Sequence, residues 1–261
     1  MPRIALGLEY DGTDFVGWQI QRAGRSVEAA LASAVQAVAN ERLNVHGAGR
    51  TDAGVHAAQQ VVHFDTSAER SERQWLLGIN SNLPPDVAVR WVREVPATFD
   101  ARRSALRRRY RYSVLQQPTR PALARTRVWW IREPLAADAM TAASLSWLGE
   151  HDFSAFRAAG CQAKSPMRRL MAVRIARMSQ AGGVLWQLDF TANAFLQHMV
   201  RNLVGALVEI GRGDLPAAAA GEMLASRDRT QAAVAAPPAG LTLLEVLYPE
   251  HYRLPSVGDA D

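Results

Sequence analysis

The stretch Gly47–Ala57 constrains the fold most, because it interrupts strand-like patterns with residues that cannot fill a core. It reads GAGRTDAGVHA, so glycine and alanine occupy six of its eleven positions. Glycine is used where the backbone must turn left-handed or approach another group closely. The stretch is therefore predicted to be a loop that presents polar side chains. These are Arg50, Thr51, Asp52 and His56.

The spacing of Arg50 and Asp52 favours an ionised carboxylate on this loop. A guanidinium close to a carboxyl group lowers its pKa and keeps it charged at neutral pH. An ionised carboxylate is what a nucleophile or a general base requires. The alternative is that Asp52 only closes a turn through its backbone, as such residues often do.

The periodicity of the first half predicts a split βαβ order. The predicted strands cover residues 3–10, a segment starting at Leu43 and Val45, 58–65 and 87–91, and the predicted helices cover 27–39 and 71–80. Ser26 is predicted to cap the first helix, and Ser71 with Gln74 resembles a capping box for the second. The second half repeats that order with longer insertions, the predicted elements being 104–115, 138–149, 168–179, 183–191, 197–210 and a last strand from Leu241. Asp138 is predicted to cap the helix over 138–149, and residues 116–134 are predicted to be a loop. The sequence therefore predicts an α+β protein of two ferredoxin-like (split βαβ) domains with mostly antiparallel sheets. They span residues 1–104 and 105–254, and 255–261 are predicted to be a disordered tail.

Composition favours an anionic partner and a reducing compartment. The 261 residues carry a net charge of +5 and a sequence pI near 10.0, which indicates nucleic acid first and a basic but unspecialised enzyme second. Cys161 is the only cysteine, so an internal disulfide is excluded. Neither a signal peptide nor an apolar run of about 20 residues is present, which favours a cytoplasmic protein without a membrane span.

Several motifs together resemble the tRNA pseudouridine synthase A family. The loop Gly47–Ala57 is similar to the family's signature, whose catalytic aspartate corresponds to Asp52. The other matching segments, in the family's order, are Glu9-Tyr10-Asp11-Gly12, Gly17-Trp18-Gln19, Arg108-Arg109-Tyr110-Arg111-Tyr112, Asp152-Phe153-Ser154-Ala155-Phe156, Asn193-Ala194-Phe195, His198 to Gly205 and Gly240-Leu241.

The resemblance implies an isomerase that converts uridine to pseudouridine at positions 38, 39 and 40 in the anticodon stem-loop of tRNA. Its site would lie in a central catalytic cleft flanked by the two domains. Asp52 would be the nucleophile, attacking either C6 of the base or C1′ of the sugar, and no cofactor or metal is implied. Family members act as homodimers, so a homodimer is expected here.

The resemblance also assigns roles around Asp52. Arg50 would be its charge partner, and Arg201 would approach it across the cleft, unless Arg201 is solvated or pairs with Glu209. Tyr110 would stack on the flipped uracil and serve in proton transfer at C5, whereas Tyr112 is expected to be core. Leu241 or Leu243 would line the uracil pocket, with a plain core position as the alternative.

A dense run of arginines predicts the RNA surface. Phosphate contacts from such a run give sequence-independent, salt-sensitive binding, although a solvated face is the alternative. The candidates are Arg102, Arg103, Arg107, Arg108, Arg109 and Arg111, with Arg22 and Arg25 as a weaker extension.

Two other functions fit parts of the sequence. An RNA-binding module without chemistry explains the charge, but it does not explain Arg50 and Asp52 on a glycine loop. A metal-dependent hydrolase could use His56, His63 and Asp52, but their spacing matches no usual zinc pattern.

Overall fold

The computed structural model describes residues 1–255. Its strands are β1 (Arg3–Tyr10), β2 (His46–Gly47), β3 (His56–Asp65), β4 (Val87–Val95), β5 (Arg107–Gln116), β6 (Trp129–Ile131), β7 (Gly149–Asp152), β8 (Met167–Gln180), β9 (Gly183–Ala192) and β10 (Leu241–Leu247). Its helices are α1 (Val27–Ala39), α2 (Glu72–Asn82), α3 (Ala137–Leu145), α4 (Met199–Arg212) and α5 (Ala219–Ser226). The fold is α+β, and the sheet is mixed and mostly antiparallel.

The chain forms two compact units. The first contains residues 1–108 together with the chain from Thr242 onward, and the second contains Arg109–Leu241. The sequence prediction placed the last strand in the second domain, whereas most of β10 belongs to the first unit because it pairs in parallel with β3 there. The predicted tail begins at Pro255, and the rest of it lies outside the described residues.

In the first unit, β1 is central and pairs antiparallel with both β3 and β4. The short strand β2 pairs antiparallel with β3. The buried side chains of α1 include Val27, Leu31 and Val35, and those of α2 are Trp75 and Ile79. Burial of these apolar faces is the main favourable contribution to the stability of the unit.

The starts of α1 and α2 are set by the capping residues that the sequence predicted. The Ser26 hydroxyl accepts a hydrogen bond from the Ala29 N–H at 3.3 Å. Ser71 and Gln74 form a capping box, in which each side chain accepts from the backbone N–H of the other residue. Both helix starts are therefore confirmed.

In the second unit, the strand order is β5-β9-β8-β7, with β6 beside β5 in parallel. Strands β8 and β9 form a hairpin whose turn contains Gly182 at φ +83°. Helix α4 is buried almost all round, and Arg201 is one of its few residues with solvent access.

Three predicted elements of the second unit differ from the structure. Helix α3 starts after Ala136 without a side-chain cap, so Asp138 lies in its first turn instead of capping it. The predicted helix over 138–149 ends at Leu145, and Gly149, at φ +101°, begins β7. The segment 116–134, predicted to be a loop, contains β6, which pairs with β5.

Candidate active site

The signature loop is fixed to β3 where it begins. The Ala48 N–H donates to the Val61 carbonyl at 2.8 Å. The Gln60 amide, fully buried, donates from Nε2 to the Gly49 carbonyl at 2.7 Å. Two consecutive residues of the loop are therefore held by two consecutive residues of one strand.

The backbone around Asp52 is held by the segment before α1. The Trp18 N–H donates to the Thr51 carbonyl at 3.0 Å, and Gly17 and Asp52 form an isolated antiparallel bridge. The Val55 N–H donates to the Asp52 carbonyl at 3.1 Å and closes a turn. The backbone turn that is the alternative role of Asp52 is thus present, and the side chain of Asp52 is half-buried.

Gly17 allows this close approach. Its φ is +114°, a conformation that residues with a Cβ rarely adopt. A Cβ added there would lie 2.6 Å from the Thr51 carbonyl oxygen and 3.1 Å from the Asp52 carbonyl carbon. The position of Asp52 therefore depends on the absence of a side chain at residue 17.

Two buried side chains support the loop from below. The Tyr10 hydroxyl and the Thr51 hydroxyl are hydrogen-bonded at 2.8 Å, and both residues are buried. His56 is fully buried, and the Gly12 N–H points to its Nδ1 at 3.0 Å. An Asp11 carboxylate oxygen lies 3.1 Å from the same Nδ1.

Arg50 is exposed on the loop, and its predicted charge pairing with Asp52 stays a prediction. The structure does place it outside the packed base of the loop, on the solvent side. A guanidinium in that position is free of the desolvation cost that a buried cation would carry.

Arg108 is buried and does not lie on the surface, where a residue that contacts phosphate is expected. It is 9% exposed, and its Nη2 donates to the Ala48 carbonyl at 2.9 Å and to the Arg102 carbonyl at 2.7 Å. Its guanidinium is thus part of the support of the signature loop. The expectation of a surface contact from Arg108 is corrected, because the side chain is enclosed by the protein's own carbonyl groups.

Two further arginines of the predicted RNA surface are engaged within their own units. Arg25 forms a two-pronged pair with Asp86, both distances being 3.0 Å, and its guanidinium lies 4.4 Å from the centre of the Phe15 ring. Arg111 makes a similar pair with Asp189 at 2.7 and 2.8 Å, and that hydrogen bonding raises the pKa of Arg111. Exposed positions are occupied by Arg22, Arg102, Arg103 and Arg107, and Arg109 is partly exposed.

In the second unit, the two tyrosines of β5 differ as the sequence suggested. Tyr112 is fully buried and donates from its hydroxyl to the Pro237 carbonyl at 2.7 Å, and burial raises its pKa. Tyr110 is 8% exposed, and its ring meets that of Phe195 edge to face at 5.0 Å between centres. Tyr112 is therefore a core residue, and Tyr110 stays the candidate for uracil stacking.

Arg201 is bound to the segment before β10. Its Nε donates to the Ala236 carbonyl at 2.7 Å, and the Ala236 N–H donates back to the Arg201 carbonyl at 3.0 Å. The guanidinium is therefore oriented by backbone on another part of the unit. Its approach to Asp52 stays a prediction.

The two leucines proposed for the uracil pocket are both buried, with Leu241 at 5% and Leu243 at 0% exposure. Before them, Gly240 packs against Tyr112, whose ring a Cβ at residue 240 would meet at 2.6 Å. Both residues thus occupy core positions, and a role of either one in the uracil pocket stays a prediction.

The histidines proposed for a hydrolase are engaged in local structure. The His63 Nδ1 accepts from the Ala101 N–H at 3.1 Å, and burial is the main cause that lowers the pKa of His63 to about 4. Across residues 1–255, no group of three or more histidine, cysteine or acidic side chains is arranged to hold a metal ion. Nor is any helix in that range long and apolar enough to cross a bilayer.

The sequence did not assign roles to four supports of the loop: Tyr10, Gly17, Trp18 and Gln60. Tyr10, Gly17 and Trp18 fall in motifs that resemble the family, but the sequence did not show that these residues support the loop. Gln60 lies in a strand pattern, and nothing in its spacing distinguishes a loop anchor from a core amide.

Comparisons with known proteins show the family of this chain. The model of a family described as "tRNA pseudouridine synthase" matches residues 8–102 and 143–249. The proteins called tRNA pseudouridine synthase A from Nitrosococcus oceani and Klebsiella pneumoniae are 51% and 49% identical over 97% of this chain and cover 96% and 92% of their own lengths. A solved archaeal box H/ACA Nop10–Cbf5 complex is similar over 78% of this chain and 44% of that one, at 10% identity and a TM-score of 0.33, which carries no structural argument.

The α+β fold and the aspartate loop thus define an RNA-modifying isomerase of the pseudouridine synthase class. The family model spans most of the chain, and relatives at half identity cover nearly all of it. The chain belongs to the tRNA pseudouridine synthase family.

Proposed function

We propose that this enzyme converts uridine to pseudouridine at positions 38, 39 and 40 in the anticodon stem-loop of tRNA, with Asp52 as the nucleophile. One observation carries the proposal. The residue that matches the family's catalytic aspartate lies half-buried on a loop whose backbone is held by Trp18, Gly17 and β3.

The reaction needs only a carboxylate as a covalent catalyst. The C1′–N1 bond breaks, the base turns over, a C1′–C5 bond forms, and the proton on C5 is transferred to N1 over the whole cycle. Nothing is oxidised and no group is brought in, so a nucleophile that adds and then leaves is sufficient. The carboxylate of Asp52 adds either to C6 of the base or to C1′ of the sugar, and both routes return it unchanged.

Tyr110 is proposed to bind the turned base and to assist the proton transfer at C5. Its ring is buried apart from a small accessible fraction and is braced by Phe195. A ring held in this way offers a stacking face, and the phenolic hydroxyl is both donor and acceptor. Leu241 is proposed to line the same pocket, with Leu243 behind it in the core.

Arg50 and Arg201 are proposed to hold negative charge on the carboxylate and on the substrate. Arg201 is oriented through its Nε by the Ala236 carbonyl, and a guanidinium carries five N–H donors in all. Arg50 is exposed on the loop and suits either the carboxylate or an RNA phosphate. Their action on the same uridine is carried over from the family.

The RNA surface is proposed to consist of the exposed arginines. Charge-driven phosphate contacts position an RNA without reading its sequence, which suits an enzyme that acts at three adjacent positions. The set is Arg22, Arg102, Arg103 and Arg107, with Arg109 at its edge. Arg25, Arg108 and Arg111 are left out because their guanidinium groups bind within the protein.

The two units are proposed to be ferredoxin-like domains, and the protein is proposed to be a cytoplasmic homodimer. In the first unit, the order β4-β1-β3 with β2 beside β3 is the strand order of a split βαβ domain, which supports the first part. The dimer and the compartment rest on family resemblance and on composition.

The proposal is tested with purified protein and an unmodified tRNA transcript, by mapping pseudouridine at each position. Asp52→Asn should lose product by at least about 1,000-fold while tRNA affinity changes by a few-fold at most, because a nucleophile is removed and the charge surface is kept. Asp14→Asn is the matched control, since Asp14 is an exposed carboxylate outside the signature loop. Asp52→Asn with a rate near wild type would refute the role, and product at other tRNA positions would refute the substrate.

A further inference from the structure

Arg108 joins two segments that carry different parts of the proposed function. One Nη2 atom donates to Ala48, in the signature loop, and to Arg102, in the turn that bears two exposed arginines. Both acceptors are backbone carbonyl groups, so the contacts fix chain positions and not side-chain rotamers.

The arginine turn (Asp100–Ser104) is itself rigid. Asp100 accepts hydrogen bonds from the N–H groups of Arg102 and Arg103 at 2.9 and 2.8 Å. Desolvation opposes ionisation of Asp100, but these two hydrogen bonds and nearby positive charge lower its pKa nonetheless. The turn is closed by the Ser104 N–H, which donates to the Asp100 carbonyl at 2.9 Å.

The turn is also anchored below. The Tyr248 hydroxyl donates to the Ala101 carbonyl at 2.6 Å, and the Ala101 N–H donates to His63. Arg3 donates to the carbonyl groups of Ala97 and Phe99 at 2.7 and 2.6 Å. The turn is therefore a fixed point against which a neighbouring loop can be held.

Burial makes the Arg108 contacts consequential. A cation with 9% exposure must be satisfied by hydrogen bonds, and hydrogen bonds from charged donors are about twice as strong as neutral ones. From Ala48, whose carbonyl it holds, four residues of chain lead to the nucleophile. A misplacement of about 1 Å at a reacting group can cost about 100-fold in rate.

We propose that Arg108 is a positioning residue, which holds the start of the catalytic loop against the arginine turn and so sets where Asp52 stands relative to bound RNA. This rests on the proposed function of Asp52. Arg108 touches neither substrate nor the reacting atoms, so its loss should lower the rate constant of the bound complex and leave affinity for tRNA largely unchanged.

The test compares Arg108→Met, Arg108→Lys and a control, Arg73→Met, in helix α2. Single-turnover rates are measured at saturating enzyme and 25 °C, together with tRNA affinity. Arg108→Met should slow the rate about 10–100-fold, the range expected when a hydrogen bond from a charged donor is lost. Arg108→Lys should recover much of the rate, because one nitrogen makes both contacts and an ammonium group carries three donors.

Arg73→Met is the matched control, because it removes the same charge from an exposed position outside the proposed RNA surface. It should leave both the tRNA affinity and the saturated rate constant close to wild type. The proposal is overturned if Arg108→Met reacts at the wild-type rate with only a smaller folded fraction, or if its main effect is a loss of tRNA affinity.

Hydrogen exchange of residues 47–57 in the protein without RNA separates this inference from the proposed function. Arg108→Met should speed exchange at the Ala48 N–H, whose bond to Val61 lies next to the carbonyl that Arg108 holds, and Arg108→Lys should restore slow exchange. That readout needs no reaction. Unchanged exchange in Arg108→Met refutes the positioning role whatever product the wild type makes, and absence of product from the wild type refutes the proposed function alone.

Discussion

Replacing Gly17 with alanine should displace the signature loop, although the substitution changes no polar side chain. The added Cβ would lie 2.6 Å from the Thr51 carbonyl oxygen, and ordinary contact begins at 3.4 Å. The backbone segments at residues 17 and 51 must therefore separate by about 0.8 Å. The φ of +114° adds strain, since left-handed backbone costs a residue with a Cβ about 1–2 kcal/mol. Strain and displacement together predict a loss of about 2–4 kcal/mol in unfolding free energy.

The displacement reaches Asp52, because Gly17 and Asp52 form a β-bridge and the Trp18 N–H donates to the Thr51 carbonyl. A shift of this size at a nucleophile predicts a fall of about 100-fold in single-turnover rate at saturating tRNA. The melting temperature should fall by about 5–15 °C, given about 2–4 °C per kcal/mol for a chain of this size.

Two other glycines provide matched controls for stability. Gly182 also has a positive φ, +83°, but a Cβ there meets nothing within 4 Å, so alanine should cost only the strain of about 1–2 kcal/mol. Gly49 lies in the signature loop with nothing within 4 Å and no positive φ, so alanine should not destabilise it. The reasoning is refuted if Gly17→Ala loses no more stability than Gly182→Ala and keeps a wild-type rate.

Three other perturbations have defined outcomes. Burial lowers the pKa of His63 to about 4, from a value near 6.5 in the unfolded chain. Between pH 6.5 and pH 4 the unfolded chain therefore binds a proton that the folded protein does not bind. Stability should fall as the pH drops through this window, by at most about 3 kcal/mol. Urea midpoints against pH should show this for the wild type and a flatter dependence for His63→Gln. Tyr10→Phe removes a buried hydroxyl from Thr51 and should cost about 1 kcal/mol in urea unfolding and several-fold in rate. Replacing both Arg102 and Arg103 with Gln should reduce the slope of log affinity for tRNA against log salt by about 1.5.

Each of these has a comparison that can contradict it. His46→Gln changes an exposed ring 5.1 Å from His63 and should keep most of the acid sensitivity, so equal slopes in both variants would exclude His63 as its source. A Tyr10→Phe protein with wild-type stability and rate would mean that the buried hydroxyl does not support the loop. Arg70 and Arg73 are exposed elsewhere in the first unit, and an equal loss of slope from removing that pair would make the salt effect one of net charge.

Local signals predicted most of the helices and strands, and they failed where pairing partners decide. Ser26 and Ser71 mark helix starts because the cap bonds are made within one turn. The strand at Trp129–Ile131 was missed because three residues carry no period, and it forms only because β5 lies beside it. The end of α3 was overextended because Gly149 looked like a helix end, whereas it starts β7.

The sequence offered a centre for the candidate site but not its supports. Glycine, arginine and aspartate in one short loop indicate a polar site, and the resemblance to the family assigns the nucleophile to Asp52. Gln60 and Tyr10 act through contacts with residues 11 and 41 positions away. No spacing rule reaches that far, because such contacts depend on which strands pair.

Arg108 shows why charge alone is a poor guide to an RNA surface in this chain. Lys164 is the only lysine, so almost every cation, whatever its task, is an arginine. The planar group with five donors can bind backbone carbonyl groups inside the protein, as Arg108 does, and it can also bind phosphate from the surface. Successive residues of a strand point to opposite sides of the sheet. Arg107 and Arg108 are consecutive residues of β5, and the first is exposed whereas the second is buried. Net charge therefore predicts an RNA partner, while burial separates the arginines proposed to contact it from Arg108, which is proposed to hold the signature loop.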